Sequence, residues 1–233
     1  MKQYQGDKAI ISLTSWKARI KTVGLTIYSL LTQCPGFHIV LVLSEEEFPK
    51  KEAELPEDLV LMSRCGKIEI LWVYRNFKSL KKILFTMEKF PDVPVISSDD
   101  DIIHTFNYAD ILYQMHLKHP NTLITFNNRK PKHTSGAFTL YYPRCFGTFD
   151  VMSELSNNKH LDKYMVADDA FYEMLRAKYH DSPVIQINNT YRFMFVEENS
   201  PLHSIYTRPG FLADIRCIQS EDAGKSIFSI LGE

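Results

Sequence analysis

Val93-Pro94-Val95-Ile96-Ser97-Ser98-Asp99-Asp100-Asp101-Ile102-Ile103 is a short apolar run that ends in three adjacent carboxylates. The run is β-branched, brief and bounded by Pro91 and Pro94, which predicts a buried strand. Acids at the end of a core strand need a partner, because an unpaired buried charge costs a large part of a domain's net stability. A divalent cation removes that cost. Continued as a strand, the run would turn Asp99 and Asp101 to one side and Asp100 to the other. Hard ions such as Mg2+ or Mn2+ take oxygen ligands, commonly one or two carboxylates with phosphate and water completing the shell. The stretch therefore predicts a metal–diphosphate site at a strand end; the plain alternative is a solvated acidic loop.

Working outward, the flanking segments alternate between strand and helix. Lys8 to Thr14 reads as a first strand, followed by the polar turn Ser15-Trp16-Lys17-Ala18-Arg19-Ile20. From Thr22 to Gln33, Val23, Ile27, Leu30 and Leu31 fit a helix face with Thr22 as N-cap, and Pro35-Gly36 stops it. His38 to Leu43 is a nearly continuous apolar strand, as expected when both faces are covered. Ser44-Glu45-Glu46-Glu47 matches a capping box, which predicts a short helix, and Pro56-Glu57-Asp58 opens another. Lys67 to Val73 is a strand and Ser79 to Phe90 a helix. Asn107 to His119 is helical, Thr122 to Phe126 a strand, Gly136 to Tyr142 a strand, and Pro143 to Leu155 a loop and then a helix. Met165-Val166-Ala167-Asp168-Asp169 leads into a helix over Ala170 to Tyr179, and Val184 to Ile187 is a late strand.

This order predicts an α/β fold: a mixed, mostly parallel, Rossmann-like sheet flanked by helices, with right-handed crossovers. Ligands of such sheets bind outside the carboxyl ends of the strands, where Thr14, Arg19 and Asp99 to Asp101 all fall. With 233 residues, no internal repeat and no linker-like tract, a single domain over 1–233 is expected. Its halves would be 8–126 and 127–233. The basic segment Asn127 to Ser135 reads either as a solvated loop or as a segment over the pocket.

Composition narrows the class. Net charge is -1, from 27 basic and 28 acidic residues, so no basic excess points to nucleic acid. Cys34, Cys65, Cys145 and Cys217 are widely spaced and form no metal pattern, which predicts free thiols in a reducing compartment. The first residues contain no apolar signal segment, and no run approaches the ~20 apolar residues of a membrane span. A cytoplasmic protein is expected.

Several segments together resemble a group of bacterial glycosyltransferases with the GT-A fold. Ile11 to Ile20 resembles their strand-then-arginine opening, and Ser97 to Ile102 is similar to their DXD metal motif. Lys78-Ser79-Leu80-Lys81-Lys82 is similar to the lysine segment before the DXD strand. Gly136 to Pro143 and Ala167-Asp168-Asp169-Ala170-Phe171 are similar to the acceptor-side segments. The match in order and spacing runs from Lys8 to Tyr179 and weakens from Asn188 onward. Trp16-Lys17 departs from the aromatic-then-Pro of relatives but keeps Arg19.

The resemblance implies a nucleotide-sugar donor, most readily a UDP-sugar, and a glycan or glycolipid acceptor. It places Mn2+ or Mg2+ on Asp99 and Asp101, with His203 as a further ligand from the C-terminal region. Thr14, Ser15, Arg19, Lys78, Lys82, Asp99 and Asp100 would face the nucleotide; helical spacing does not put Lys78, Lys81 and Lys82 all on one side, so at most two of these lysines serve. Asp168 and Asp169 are the candidate catalytic pair, with Asp169, the second acid, preferred as the base of an inverting transfer; the plain alternative is N-capping by either acid, and both hold if Asp168 caps and Asp169 reacts. The setting implied is surface polysaccharide or lipopolysaccharide assembly at the inner face of the cell membrane, although no amphipathic basic helix marks a membrane contact. Two alternatives remain: a metal-dependent phosphohydrolase, against which no Gly-Thr follows the aspartates, and a non-catalytic nucleotide- or sugar-binding domain.

Overall fold

The strand around Ile96 lies in the middle of a sheet. In this computed structural model the described residues are 8–33, 35–104, 107–126, 136–147, 150–187, 193–196, 218 and 221–224. The strands are β1 (Ile10–Thr14), β2 (His38–Ser44), β3 (Glu69–Val73), β4 (Val95–Ser97), β5 (Ile102–His104), β6 (Leu123–Thr125), β7 (Thr139–Tyr141), β8 (Val184–Gln186) and β9 (Phe193–Phe195). Among the described residues seven of them form one sheet in the order β3-β2-β1-β4-β7-β6-β8, and β5 pairs with β9. Strands β3, β2, β1 and β4 are mutually parallel, β7 runs antiparallel to both β4 and β6, and β6 is parallel to β8. The mixed, mostly parallel sheet is the architecture the alternating pattern predicted.

The helices are α1 (Val23–Gln33), α2 (Glu57–Arg64), α3 (Lys81–Lys89), α4 (Tyr108–Lys118), α5 (Val151–Asn157), α6 (Leu161–Tyr164) and α7 (Asp168–Leu175). They cover both faces, as the period of two in the strands requires. Ile11, Leu13, Leu41 and Ile96 pack with Val23, Ile27 and Leu30 of α1 and Leu112 of α4. Ile10, Val40, Val42 and Val95 pack on the opposite side with Ile83 and Leu84 of α3 and Phe171 of α7. Ile96 has no exposed surface and sits between β1 and β7. Ile96→Ala should therefore lower unfolding stability by about 2–5 kcal/mol, read from the shift in denaturant midpoint.

Two local expectations are corrected. Ser44 and Glu47 do make capping-box contacts, the Glu47 N–H donating to Ser44 Oγ at 3.4 Å. These contacts close a turn and not a helix; the next helical residues are the 3-10 turn Lys51–Glu54. The second concerns the opening stretch. Strand β4 stops at Ser97, so strand alternation does not extend through the three aspartates. Asp100 and Asp101 turn to the same cation, and Asp99 turns to another.

Candidate active site

The carboxyl ends of β1 and β4 are neighbours because the strands pair in parallel from Ile10 with Val95 to Ser12 with Ser97. That register brings the turn after β1 against the acid turn after β4. Ser15 Oγ donates to Asp100 Oδ2 at 2.7 Å, and Arg19 Nη1 donates to Asp100 Oδ1 at 2.8 Å. The same nitrogen lies 3.0 Å from Asp101 Oδ2. Thr26, buried in α1, donates its hydroxyl to the Asp100 carbonyl at 3.0 Å. Asp100 is thus held from three directions, and Arg19 is buried with it. Thr14, the last residue of β1, donates its hydroxyl to the Val42 carbonyl at 2.7 Å.

On the other side stands α3. Its first turn follows a 3-10 turn, Lys78–Leu80, and both Lys81 and Lys82 are buried. Lys82 Nζ donates to Asp99 Oδ1 at 2.6 Å and lies 2.8 Å from Asp168 Oδ2. Burial alone would lower its pKa, but the two carboxylates outweigh that and hold it firmly protonated. Lys81 instead reaches Asn76 and Glu47, and burial pulls its ammonium below the usual range. Lys78 is exposed. Its turn packs beside the segment that leads into the helix Asp168–Leu175, Ser79 Oγ donating to the Met165 carbonyl at 3.2 Å.

Asp168 and Asp169 begin α7, in its first turn; the N-cap is Ala167 and no side chain caps the helix, so the capping expected of Asp168 or Asp169 is corrected, because the helix begins one residue earlier than that reading requires. Asp168 is buried and paired with Lys82, whereas Asp169 is exposed, its Oδ1 accepting from the Ala170 N–H at 2.9 Å. Loss of hydration first, and the Asp168 charge second, raise the Asp169 carboxyl above the usual carboxylate range. The Ala170 N–H and the Lys82 ammonium act in the opposite sense. Asp169 is exposed, so loss of hydration counts for less there than the neighbouring Asp168 charge, which acts in the same direction.

The charge balance of the cluster is negative. Asp99, Asp100, Asp101 and Asp168 face two buried cations, Arg19 and Lys82. The Asp101 carboxyl is pushed up to about 6, by burial first and the Asp99 charge next, with Arg19 opposing. A further positive charge would relieve this repulsion, and in that respect the residues suit a divalent cation. Among the described residues no three His, Cys, Asp or Glu side chains converge as a metal cage. A cation here would therefore complete its shell with ligand phosphate and water. Asp99, whose side chain is 41% exposed, is the most open of the three aspartates.

The structure thus gathers Ser15, Arg19, Lys82, Asp99, Asp100, Asp101 and Asp168 into one connected cluster. It sets Thr14 and Lys78 apart from these contacts and places Asp169 on the adjoining helix start. His203 and the basic segment 127–135 lie outside the described residues. Sequence reasoning missed Thr26, which carries no signal beyond a polar residue on a helix, and His104. The latter is buried, its Nε2 is 2.9 Å from Ser98 Oγ, and its ring stacks on Tyr108 at 4.1 Å. Burial pushes its pKa down to about 3, so it stays neutral behind the acid turn.

No family model and no curated protein matches this sequence. Solved structures do match. S. aureus TarS 1–349 in complex with UDP aligns with a TM-score of 0.58 and 10% identity over 92% of this chain and 65% of that one. The same protein in complex with UDP-GlcNAc gives 0.58 and 12% identity over 91% and 65%. S. aureus TarS in a longer form gives 0.52 and 10% over 91% and 39%. The chain therefore spans 65% or less of these neighbours' lengths. At such identity the likeness establishes the fold, a GT-A-like α/β arrangement. Among the described residues no helix is long and apolar enough to cross a membrane, and Cys65 and Cys145 are free thiols.

Proposed function

We propose that this protein is a glycosyltransferase that moves a sugar from a nucleotide donor, a UDP-sugar, to a glycan or glycolipid acceptor with inversion. The observation that carries the reading is the cluster of Asp99, Asp100, Asp101 and Arg19 at the carboxyl ends of β1 and β4. It lies in a fold similar to that of a protein solved with UDP and with UDP-GlcNAc. Asp101 and Asp99 would hold Mg2+ or Mn2+, which supplies positive charge to the departing diphosphate. Ser15, Arg19 and Thr26 fix the backbone and carboxylate of Asp100, so the acid turn is set before the donor arrives. Thr14 and Lys78 border the nucleotide.

Asp169 is the base. As the acceptor oxygen bonds to the anomeric carbon, the sugar–phosphate bond breaks with its electron pair leaving on the nucleoside diphosphate. The hydroxyl proton passes to Asp169. Its exposure and raised pKa suit that role, whereas Asp168 is occupied by Lys82. The pathway we favour is bacterial surface polysaccharide or lipopolysaccharide synthesis, at the inner face of the cell membrane. The two halves, 8–126 and 127–233, would serve donor and acceptor respectively.

Calorimetry with UDP tests the donor site. Binding is expected with Mn2+ or Mg2+ present and absent without it, and Asp101→Ala should abolish the metal-dependent part. Equal affinity in all conditions would refute the cation site.

A further inference from the structure

Lys82 follows Lys81 on α3, and the resemblance would have it face the nucleotide. Its side chain is instead 2% exposed and touches two carboxylates, Asp99 Oδ1 at 2.6 Å and Asp168 Oδ2 at 2.8 Å. The acids come from remote segments, the turn after β4 and the first residue of α7. Asp168 Oδ2 is buried, and among the described residues the ammonium is the group that answers it. Gly136 approaches from elsewhere: a Cβ there would stand 3.2 and 3.3 Å from the two Asp168 oxygens, so its missing side chain leaves the carboxylate room. Tyr172, one turn along α7, ties that helix to the 3-10 turn just before α3, its hydroxyl donating toward the Ser79 and Leu80 carbonyls at 3.4 Å.

We infer that Lys82 is a positioning residue, a strut that holds the start of α7 against the acid turn, and not a nucleotide ligand. Enclosed between two carboxylates, it presents almost no surface to a diphosphate. Asp169 is bonded directly to Asp168, so whatever fixes Asp168 fixes its neighbour. What the strut positions rests on the transferase reading above; the strut itself does not. A displacement of about 1 Å at a reacting group costs roughly 100-fold in rate.

Lys82→Met removes the charge and keeps the unbranched stem, one atom shorter. UDP affinity in this variant is expected to stay within about threefold of wild type, while transfer falls roughly 100-fold. Thermal unfolding of Lys82→Met, Asp168→Asn and the double variant forms the second arm. The two shifts should be non-additive, the double variant losing less than the sum, because neutralising Asp168 relieves the acid that loss of the ammonium leaves unpaired. A tenfold or greater loss of UDP affinity with unchanged turnover would make Lys82 a ligand and overturn the inference, and so would additive melting shifts. If the wild type took up no UDP at all, the transferase reading would fail, and the melting cycle alone would still decide the strut.

Discussion

Asp169→Asn is expected to bind UDP as the wild type does and to lose transfer by roughly 100- to 10,000-fold, the usual contribution of a positioned general base. The substitution keeps shape and removes basicity. Asp169 lies on α7, away from the Arg19 contacts that shape the acid turn, so donor affinity has no reason to move. The pH profile supplies the second readout. A base must be deprotonated to work, and loss of hydration with the Asp168 charge raises the Asp169 pKa. Activity should therefore fall as pH drops through a value above the ordinary carboxylate range, and this acid limb should vanish in Asp169→Asn. Normal turnover in the variant would remove Asp169 from the mechanism.

The second large effect is on stability. Arg19 and Asp100 have side chains 9% and 8% exposed, and the same guanidinium also serves Asp101. Arg19→Ala leaves two acids crowded in the interior with their main counter-charge removed. Breaking a buried ion pair in this way costs about 3–5 kcal/mol. In a domain of this size that lowers the melting temperature by on the order of 10 °C. Desolvation already raises the Asp100 and Asp101 pKa values, with Arg19 opposing, so the loss should be largest at neutral pH and shrink on acidification as the two acids take up protons. Scanning calorimetry of the variant at neutral and mildly acidic pH measures both. A shift under about 2 °C at neutral pH would mean that the turn does not depend on Arg19.

Most of the sheet could be read from sequence because its signals are local. A β-branched run bounded by Pro91 and Pro94 marked β4, a nearly continuous apolar run marked β2, and spaced apolar residues marked α1, α3 and α4. The capping box at Ser44 misled for the same reason: its contacts form, but they satisfy a turn as well as a helix start. The sequence also located the acid turn, since three aspartates after a buried strand fall at the carboxyl edge of a parallel sheet.

The sequence by itself determined the chain order of the strands of the main sheet, the rim where the acids gather, and the arginine turn beside them, but not the small pair β5 and β9. Tertiary structure alone decided which acid meets which cation. Strand alternation was the available rule for Asp99, Asp100 and Asp101, and it lapsed when β4 ended at Ser97. The resemblance turned Lys82 toward the nucleotide, whereas two carboxylates from other segments of the chain enclose it and offset the cost of burying it. That balance of desolvation against charge pairing depends on groups far apart in sequence, so no local window contains it.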